Sequence, residues 1–405
     1  MLDKLFTRYE ELYPELVEIR RELHRNPEIS NEEVETPKKI AAYLTELGLD
    51  VRTGVGGRGV VGYLKGGKPG KTIALRADFD ALPIQDEKQV EYKSQVAGAM
   101  HACGHDLHTA TLLGVAKVLS EIKEEIPGTI VFLHQFAEET TPGGAQFMIE
   151  DGCLDGVDVV YGAHVMSHEP VGTAQVIEGY ASSAQDDFYV EVQGVGGHGA
   201  SPHMTVDALV TVCQLVVNYQ QIISRRVSPM RQAALTVGAI HSGSVTNIIP
   251  DTASLKGTVR TFDEETRDVI EKAMQQVTTS TCEAAGATVK FNYIRDCPSI
   301  FNDATETDRI REVAKWVLGT ENVSDAEKMT GSEDFAFYQQ VVPGTYFMVG
   351  GGNPQLNAVY PHHHPKFDVD EMSIQHIGKI FIGGALNYLS DGEIKKELKK
   401  NLVLL

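Results

Sequence analysis

The chain has 405 residues, of which 42% are hydrophobic and 23% charged, as in a globular protein with more than one core. The formal net charge is −20, which argues against nucleic acid as a partner, and we expect no membrane association because no apolar run could cross a bilayer. Five scattered cysteines form no disulfide framework and indicate a reducing compartment, so we expect a cytoplasmic protein.

The first part of the chain carries the signals of an α/β layer. The amphipathic segment MLDKLFTRYEELYPELVEIRREL predicts an opening helix and lacks the apolar region of a secretory signal. Two apolar runs within residues 58–76 are joined by GGKPGK, which is typical of a turn between strands. A helix is predicted around 112–122, and buried strands at 129–135 and 157–163. We assign residues 1–184 to the first part of one domain.

A different pattern occupies residues 185–295. Strand and helix signals follow one another there as β-α-β-β-α-β, the split ferredoxin-like order. This segment is therefore predicted to be a compact second domain inserted into the first. Residues 296–405 complete the interrupted α/β domain, with helix and strand signals at 306–318, 344–349 and 373–389.

The motif MHACGHDLHTA is the richest in residues that bind metals. Cys103 and His105 stand two residues apart, and His101 and His108 lie nearby. In an extended chain such a pair faces one side, so a thiolate and an imidazole could meet at one ion. The alternative is a structural cysteine beside surface histidines.

Further candidate ligands follow the predicted strands. Glu138 and Glu139 come after one strand, His164 comes after the next, and three histidines at 362–364 precede Pro365. Ligands collect at the carboxyl ends of strands in α/β sheets. Each group has a simpler explanation, as a solvated helix start or a polar loop. Together they predict a metal site.

Eight motifs follow one another along the chain: LRADFDALP, MHACGHDLHTA, AEETTPGGA, GAHV, GVGGHGASPH, VTNIIPD, GSEDFAFY and HHHPKFDVDE. In their order and spacing the chain resembles, over nearly its whole length, the aminoacylase and hippurate hydrolase family of two-metal peptidases, especially bacterial N-acyl-amino-acid amidohydrolases and plant indole-acetyl-amino-acid hydrolases. The resemblance implies a zinc-peptidase-like α/β catalytic domain with an inserted ferredoxin-like α+β domain that serves as lid and dimerisation domain.

The resemblance also implies the roles of individual residues. Glu138 is the general base, and His198 stabilises the oxyanion from the partner subunit of a homodimer. Asn247 and Arg260 hold the substrate carboxylate. Asp80 positions the metal ligands without binding a metal itself. Two divalent ions, zinc, manganese or cobalt, are held by the implied ligands: Cys103, His105, Glu139, His164 and His363.

One departure from the wider family concerns the first acidic motif. Asp78-Phe79-Asp80 stands where many members have His-x-Asp, and Cys103 replaces a bridging aspartate. Whether Asp78 contacts a metal therefore does not follow.

Three other functions agree with the sequence. They are a dipeptidase or carboxypeptidase with the same two metals, a cysteine hydrolase with Cys103 as its nucleophile, and a binding protein that keeps the metals. The expected function is metal-dependent hydrolysis of small N-acyl amino acids.

Overall fold

The computed structural model describes residues 2–390. No helix in that range combines the length and the apolar character needed to cross a membrane. The helices are α1 (Leu2–Glu11), α2 (Tyr13–Arg25), α3 (Glu35–Glu46), α4 (His105–Ser120), α5 (Gly144–Glu150), α6 (Ala208–Arg225), α7 (Glu264–Ala285), α8 (Ala304–Leu318), α9 (Phe335–Val341) and α10 (Ser373–Leu389).

The strands alternate with these helices along the chain. They are β1 (Asp50–Val55), β2 (Gly59–Lys65), β3 (Lys68–Asp78), β4 (Pro127–Gln135), β5 (Val159–Pro170), β6 (Ala174–Val176), β7 (Gly179–Tyr180), β8 (Ala184–Gln193), β9 (Gly197–His198), β10 (Ala233–Ser242), β11 (Ile248–Ile249), β12 (Thr252–Thr261), β13 (Thr288–Cys297), β14 (Phe301–Asn302), β15 (Val323–Asp325) and β16 (Gly344–Gly352).

The chain divides into two compact units. The second unit comprises Tyr180–Ile300 and Lys328–Glu333, and the first comprises the described residues of Met1–Gly179, Phe301–Glu327 and Asp334–Leu405. The second unit is wider than the predicted insertion at 185–295. The predicted domain boundaries, and the role of the insertion as lid and dimerisation domain, stay predictions.

The first unit is built on an eight-stranded sheet in the order β1-β2-β4-β3-β5-β16-β6-β15. Its central strands β4, β3, β5 and β16 run parallel, so their carboxyl ends share one edge. Helices α4 and α10 are buried on nearly all sides and pack on each other and on β3. This arrangement confirms the predicted α/β class.

The second unit is an antiparallel sheet in the order β10-β12-β8-β13. With α6 and α7 between the strands in sequence, this is the β-α-β-β-α-β order of a ferredoxin-like fold. Alternate residues of β8, such as Phe188 and Val190, are buried with Leu215 and Tyr219 of α6 and Ile270 of α7. The unit therefore has a hydrophobic core of its own.

The prediction of a single opening helix is wrong, because α1 ends at Glu11 and α2 begins at Tyr13. Pro14 lies in the first turn of α2. Proline has no N–H to donate to the carbonyl four residues earlier, and its ring clashes with that carbonyl. Its position favours a new helix start over an uninterrupted helix, although the hydrophobic period continues across the break.

Candidate metal centre

Cys103 and His105 converge through a bend, so the expected extended pair is wrong. His105 is the first residue of α4, and Gly104 between them has a left-handed φ of 99°. A Cβ at Gly104 would lie 2.5 Å from Cγ1 of Val165. Glycine is therefore required here both by the backbone conformation and by the space that a side chain would need.

The implied ligands gather at the edge where the parallel strands end. Candidate ligand atoms of Cys103, His105 and Glu139 lie within 4.8 Å of one another. The Cys103 Sγ is 3.4 Å from Nε2 of His164. His363 joins the group through Glu139, because its Nε2 is 3.2 Å from Oε2 of that carboxylate. Cys103 thus neighbours His105 and Glu139 as well as His164, so its thiolate could help to hold either of two ions.

His164 does not end its strand as predicted. Strand β5 extends to Pro170 and remains paired with β16 beyond His164. The position still serves the site, because the Nδ1 of His164 lies 2.7 Å from the carbonyl oxygen of Val165. Nδ1 must therefore carry the ring hydrogen. Nε2 then has a lone pair that faces Cys103.

His362 also belongs to this cluster, and the sequence did not single it out from its neighbours. Its Nδ1 lies 3.8 Å from the Cys103 Sγ, and with His164 it forms a second triad around that sulfur. His363 has a left-handed φ of 64°, so successive side chains of the run diverge. Three adjacent histidines carry no periodicity that would have identified His362.

Asp80 links two of the implied ligands. Its Oδ1 is 3.1 Å from Nδ1 of His105, and its Oδ2 accepts hydrogen bonds from Ser30 Oγ at 2.7 Å and from the Glu139 amide at 3.0 Å. Burial opposes its ionisation, but these hydrogen bonds prevail and lower the pKa of Asp80. The carboxylate therefore orients both a histidine and a glutamate of the cluster.

Asp78 is committed to protein partners. One oxygen is 2.7 Å from Nδ1 of His108, and the other accepts from Arg76. Arg76 also donates to Asp334 at 2.9 Å and to Gln135 at 2.9 Å. The pKa of Asp78 is held low, because the charges of His105 and Arg76 outweigh the effect of burial. The observed contacts show that Asp78 anchors the side chains of His108 and Arg76. Its Oδ2 lies 3.8 Å from Nε2 of His105, beyond hydrogen-bond distance.

Two buried atoms of the cluster lack partners. Nε2 of His105 and Oε1 of Glu139 have no hydrogen-bond partner within residues 2–390, and they lie 3.9 Å apart. Unsatisfied buried polar atoms are costly and call for an explanation. Because Asp80 holds the Nδ1 hydrogen of His105, the neutral form of this ring would present a lone pair on Nε2 to a cation. The residues thus fit a divalent cation, which would satisfy both atoms.

The environment of Cys103 opposes a free thiolate. Burial, followed by the negative charge of Glu139, raises the pKa of the Cys103 thiol well above its ordinary value. A cysteine nucleophile needs the reverse, an electropositive setting that lowers the pKa. A thiolate here needs a cation beside it, so the surroundings favour metal binding over nucleophilic catalysis by Cys103.

Glu138 lies at the margin of the same cluster. Its Oε2 is 3.9 Å from Nε2 of His105, and its side chain is 11% exposed. Ala137, with a left-handed φ of 50°, precedes it and donates its amide hydrogen to Oε1 of Glu33 at 3.0 Å. The turn is thus fixed before the two glutamates begin.

The other predicted residues lie in the second unit. The short strands β9 and β11 pair His198 with Ile248, next to Asn247. The Nδ1 of His198 accepts a hydrogen bond from the Ala200 amide at 3.0 Å, so Nε2 carries the hydrogen and is exposed as a donor. Nη1 of Arg260 is buried and has no hydrogen-bond partner among the described residues. Burial lowers the pKa of Arg260.

Residues 74–376 match the peptidase family M20/M25/M40, and the chain belongs to this family. It is 47% identical to the putative amidohydrolase YhaA of Bacillus subtilis over 376 residues, 93% of this chain and 95% of that protein. The thermostable carboxypeptidase 2 of Saccharolobus solfataricus is 41% identical, over 92% of this chain and 94% of that one. An N-acetylcysteine deacetylase of B. subtilis is 37% identical, over 92% and 95%.

A solved structure extends the comparison to the fold. The B. subtilis YxeP protein, a dinuclear metal-binding peptidase of the M20 family, matches with a TM-score of 0.82 and 34% identity, over 94% of this chain and 99% of that one. These findings confirm the resemblance and the zinc-peptidase-like fold. The chain is a metal-dependent hydrolase that acts on amide bonds.

Proposed function

We propose that this hydrolase cleaves the amide bond of N-acyl amino acids, with Glu138 as the general base. The ligands in this proposal are Cys103, His105, Glu139, His164 and His363, and they hold two ions of zinc, manganese or cobalt. When bound, such a pair of ions supplies an acidified water molecule and a polarised scissile carbonyl.

The protein groups then move one proton and stabilise one charge. The Glu138 carboxylate accepts a proton from the attacking water and delivers it to the leaving amide nitrogen, so that an amine and a carboxylic acid are released. The Nε2–H of His198, contributed by the partner subunit of a homodimer, donates to the oxyanion as it forms. Asn247 and Arg260 hold the carboxylate of the amino-acid part.

The buried, unpartnered Nη1 of Arg260 is the observation that carries the choice of substrate. A buried guanidinium N–H without an acceptor costs free energy unless a bound anion accepts its hydrogen bond. The planar guanidinium matches the geometry of a carboxylate. The net charge of −20 disfavours anions in general, so a substrate anion needs such a local cation. The match with an N-acetylcysteine deacetylase agrees with this substrate class.

A carboxypeptidase is the second candidate. The match with a thermostable carboxypeptidase favours it, and a peptide also ends in a carboxylate that Arg260 could hold. The two functions differ at the other side of the bond, where one substrate carries a simple acyl group and the other a peptide chain.

The test is a hydrolysis panel run on protein whose bound metal has been measured. It compares N-acetyl and N-benzoyl amino acids, the same compounds with the carboxylate converted to an amide, dipeptides, and N-blocked peptides. We expect turnover of the N-acyl amino acids and a loss of about 30-fold or more when the carboxylate is neutralised. Arg260→Met should remove most of that preference. Cleavage of peptides without cleavage of any N-acyl amino acid would replace the proposal with the second candidate.

A further inference from the structure

His362 has no role in the proposed reaction, although it lies within the metal cluster. Its ring is half-buried, with its centroid 4.9 Å from that of Phe367 and 5.1 Å from that of His164. Its Nδ1 is 3.8 Å from the Cys103 Sγ. Two explanations are available, because an imidazole beside a thiolate can be a third metal ligand or a hydrogen-bond donor to sulfur.

The tautomer of His362 separates these explanations. The backbone amide of Ser167 donates to Nε2 of His362 at 3.3 Å. A backbone N–H can only donate, so Nε2 of His362 accepts through its lone pair. The ring hydrogen is therefore on Nδ1. The hydrogen therefore faces the sulfur. A nitrogen that carries a hydrogen cannot coordinate a metal.

The two histidines beside Cys103 thus have opposite characters. His164 has its hydrogen on Nδ1, directed to the Val165 carbonyl, and turns a lone pair toward the cluster. His362 turns an N–H toward the same sulfur. Both arrangements are fixed by backbone atoms of β5, a strand held in the sheet by β16, so neither depends on a mobile side chain.

We propose that His362 is a positioning residue that donates its Nδ1–H to the Cys103 thiolate and is not a metal ligand. This inference rests on the proposed two-metal site. A hydrogen bond to a metal-bound sulfur withdraws electron density from it and tunes the metal. Here it would weaken donation from the thiolate to both ions, so that the ions keep more positive charge with which to acidify water.

The experiment uses cobalt(II)-loaded protein and two amide variants. His362→Asn places an amide N–H near the position of Nδ1 and keeps the donor to sulfur. His362→Gln places its amide near Nε2, where its oxygen can accept from Ser167, and loses the donor to sulfur. His168→Ala is the control, because this side chain is 60% exposed and the ring centroid is 6.5 Å from that of His362.

We expect every variant to bind two cobalt ions per chain. In His362→Gln the sulfur-to-cobalt charge-transfer band should move to lower energy, because the thiolate regains electron density, and kcat should fall about 10-fold to 100-fold. His362→Asn and His168→Ala should keep the band and most of the activity. The asparagine variant also guards against misfolding, since it must retain both the ions and the band.

Three results would overturn the inference. Loss of one cobalt equivalent in both amide variants would make His362 a ligand. A band that stays in place in His362→Gln would remove the contact with sulfur. A wild-type protein without two bound ions or without the band would remove the site, and the proposed function with it. Normal cobalt spectra without hydrolysis of N-acyl amino acids would refute the proposed substrate alone and leave the role of His362 supported.

Discussion

Glu138 and Glu139 are neighbours in sequence but differ in their surroundings. Glu139 is tied to the cluster twice, through its amide to Asp80 and through its carboxylate to His363. The carboxylate of Glu138 lies at the margin of the cluster, 3.9 Å from Nε2 of His105. The proposed metal ligand and the proposed base need such different environments, and adjacency in sequence would keep the base beside the metals.

Replacing Glu138 by Gln should abolish the proton transfer and leave the metals in place. We expect turnover to fall by about 10²–10⁴-fold or more while two ions stay bound, because the amide keeps the shape but cannot accept the proton. Metal content by elemental analysis and kcat on the same sample test this. Glu139→Gln is the matched control and should lose metal. Unchanged turnover in Glu138→Gln would exclude it as the base.

The turn that follows β4 is the element that presents these two glutamates. Glu33 fixes its start, because its buried carboxylate accepts the Ala137 amide hydrogen. Two charged groups act on this carboxylate: Arg58, whose Nε is 3.7 Å from Oε2 of Glu33, and Asp80. Burial, reinforced by the Asp80 charge, raises the pKa of Glu33 to about 7.

This raised pKa predicts a pH dependence of stability. Between pH 4.5, the ordinary pKa of a glutamate, and about pH 7 the folded chain holds a proton on Glu33 that the unfolded chain has released. Unfolding then releases that proton, so the contribution of Glu33 to stability falls as the pH rises through this window. Glu33→Gln keeps a carbonyl oxygen for the Ala137 amide and cannot titrate.

We therefore expect Glu33→Gln to be more stable than the wild type above pH 7, by on the order of 1–3 kcal/mol, and to lose this advantage toward pH 4.5. Denaturant unfolding of both proteins at several pH values and one metal concentration measures the difference. Glu32→Gln, at the neighbouring exposed position, is the control. Parallel stability curves for Glu33→Gln and the wild type would contradict the raised pKa.

Much of the element order is readable from local patterns. TIALRAD and TIVFLHQ predict β3 and β4 because buried parallel strands are continuous apolar runs. The break at Pro14 shows the limit, since hydrophobic period alone predicts one helix. The order of strands in the sheet depends on pairings between distant segments, such as β5 with β16, and no local pattern encodes them.

In the candidate site, too, some residues can be identified from the sequence and others only from the folded structure. Cys103 and His105 are conspicuous because ligand-type residues stand close together in sequence. The choice between His362 and His363 depends on one left-handed residue and on the amide of Ser167, which is 195 positions away from His362. The buried link from Arg76 to Asp334 spans 258 positions. Such contacts exist only in the folded chain, so residue spacing cannot predict them.

At the scale of the whole molecule, the proposed catalytic residues fall into two groups. The implied ligands and Glu138 belong to the first unit, whereas His198, Asn247 and Arg260 belong to the second. The second unit has its own core, and the amide of Ala200 fixes which nitrogen of His198 can donate. A donor carried on a separate unit can serve a neighbouring subunit, and a closed twofold dimer would then hold two such shared sites.

The proposed sharing of each site between two subunits predicts rescue between two inactive variants. A dimer of one His198→Ala chain and one Glu138→Ala chain has one site with both residues intact if His198 acts in trans, and none if it acts in cis. We expect purified heterodimers, isolated with two different affinity tags, to show about half of the wild-type activity, since one of two sites is complete.

The reciprocal mixture gives the opposite result. A dimer of a wild-type chain and a chain with both substitutions has no complete site in trans, because the intact Glu138 faces the substituted His198 of its partner. We therefore expect the first heterodimer to be active and the second inactive. Activity in the second and none in the first would place His198 in the same subunit as the Glu138 that it assists. Because both mixtures contain the same substitutions, a difference in folding or metal content cannot produce this contrast.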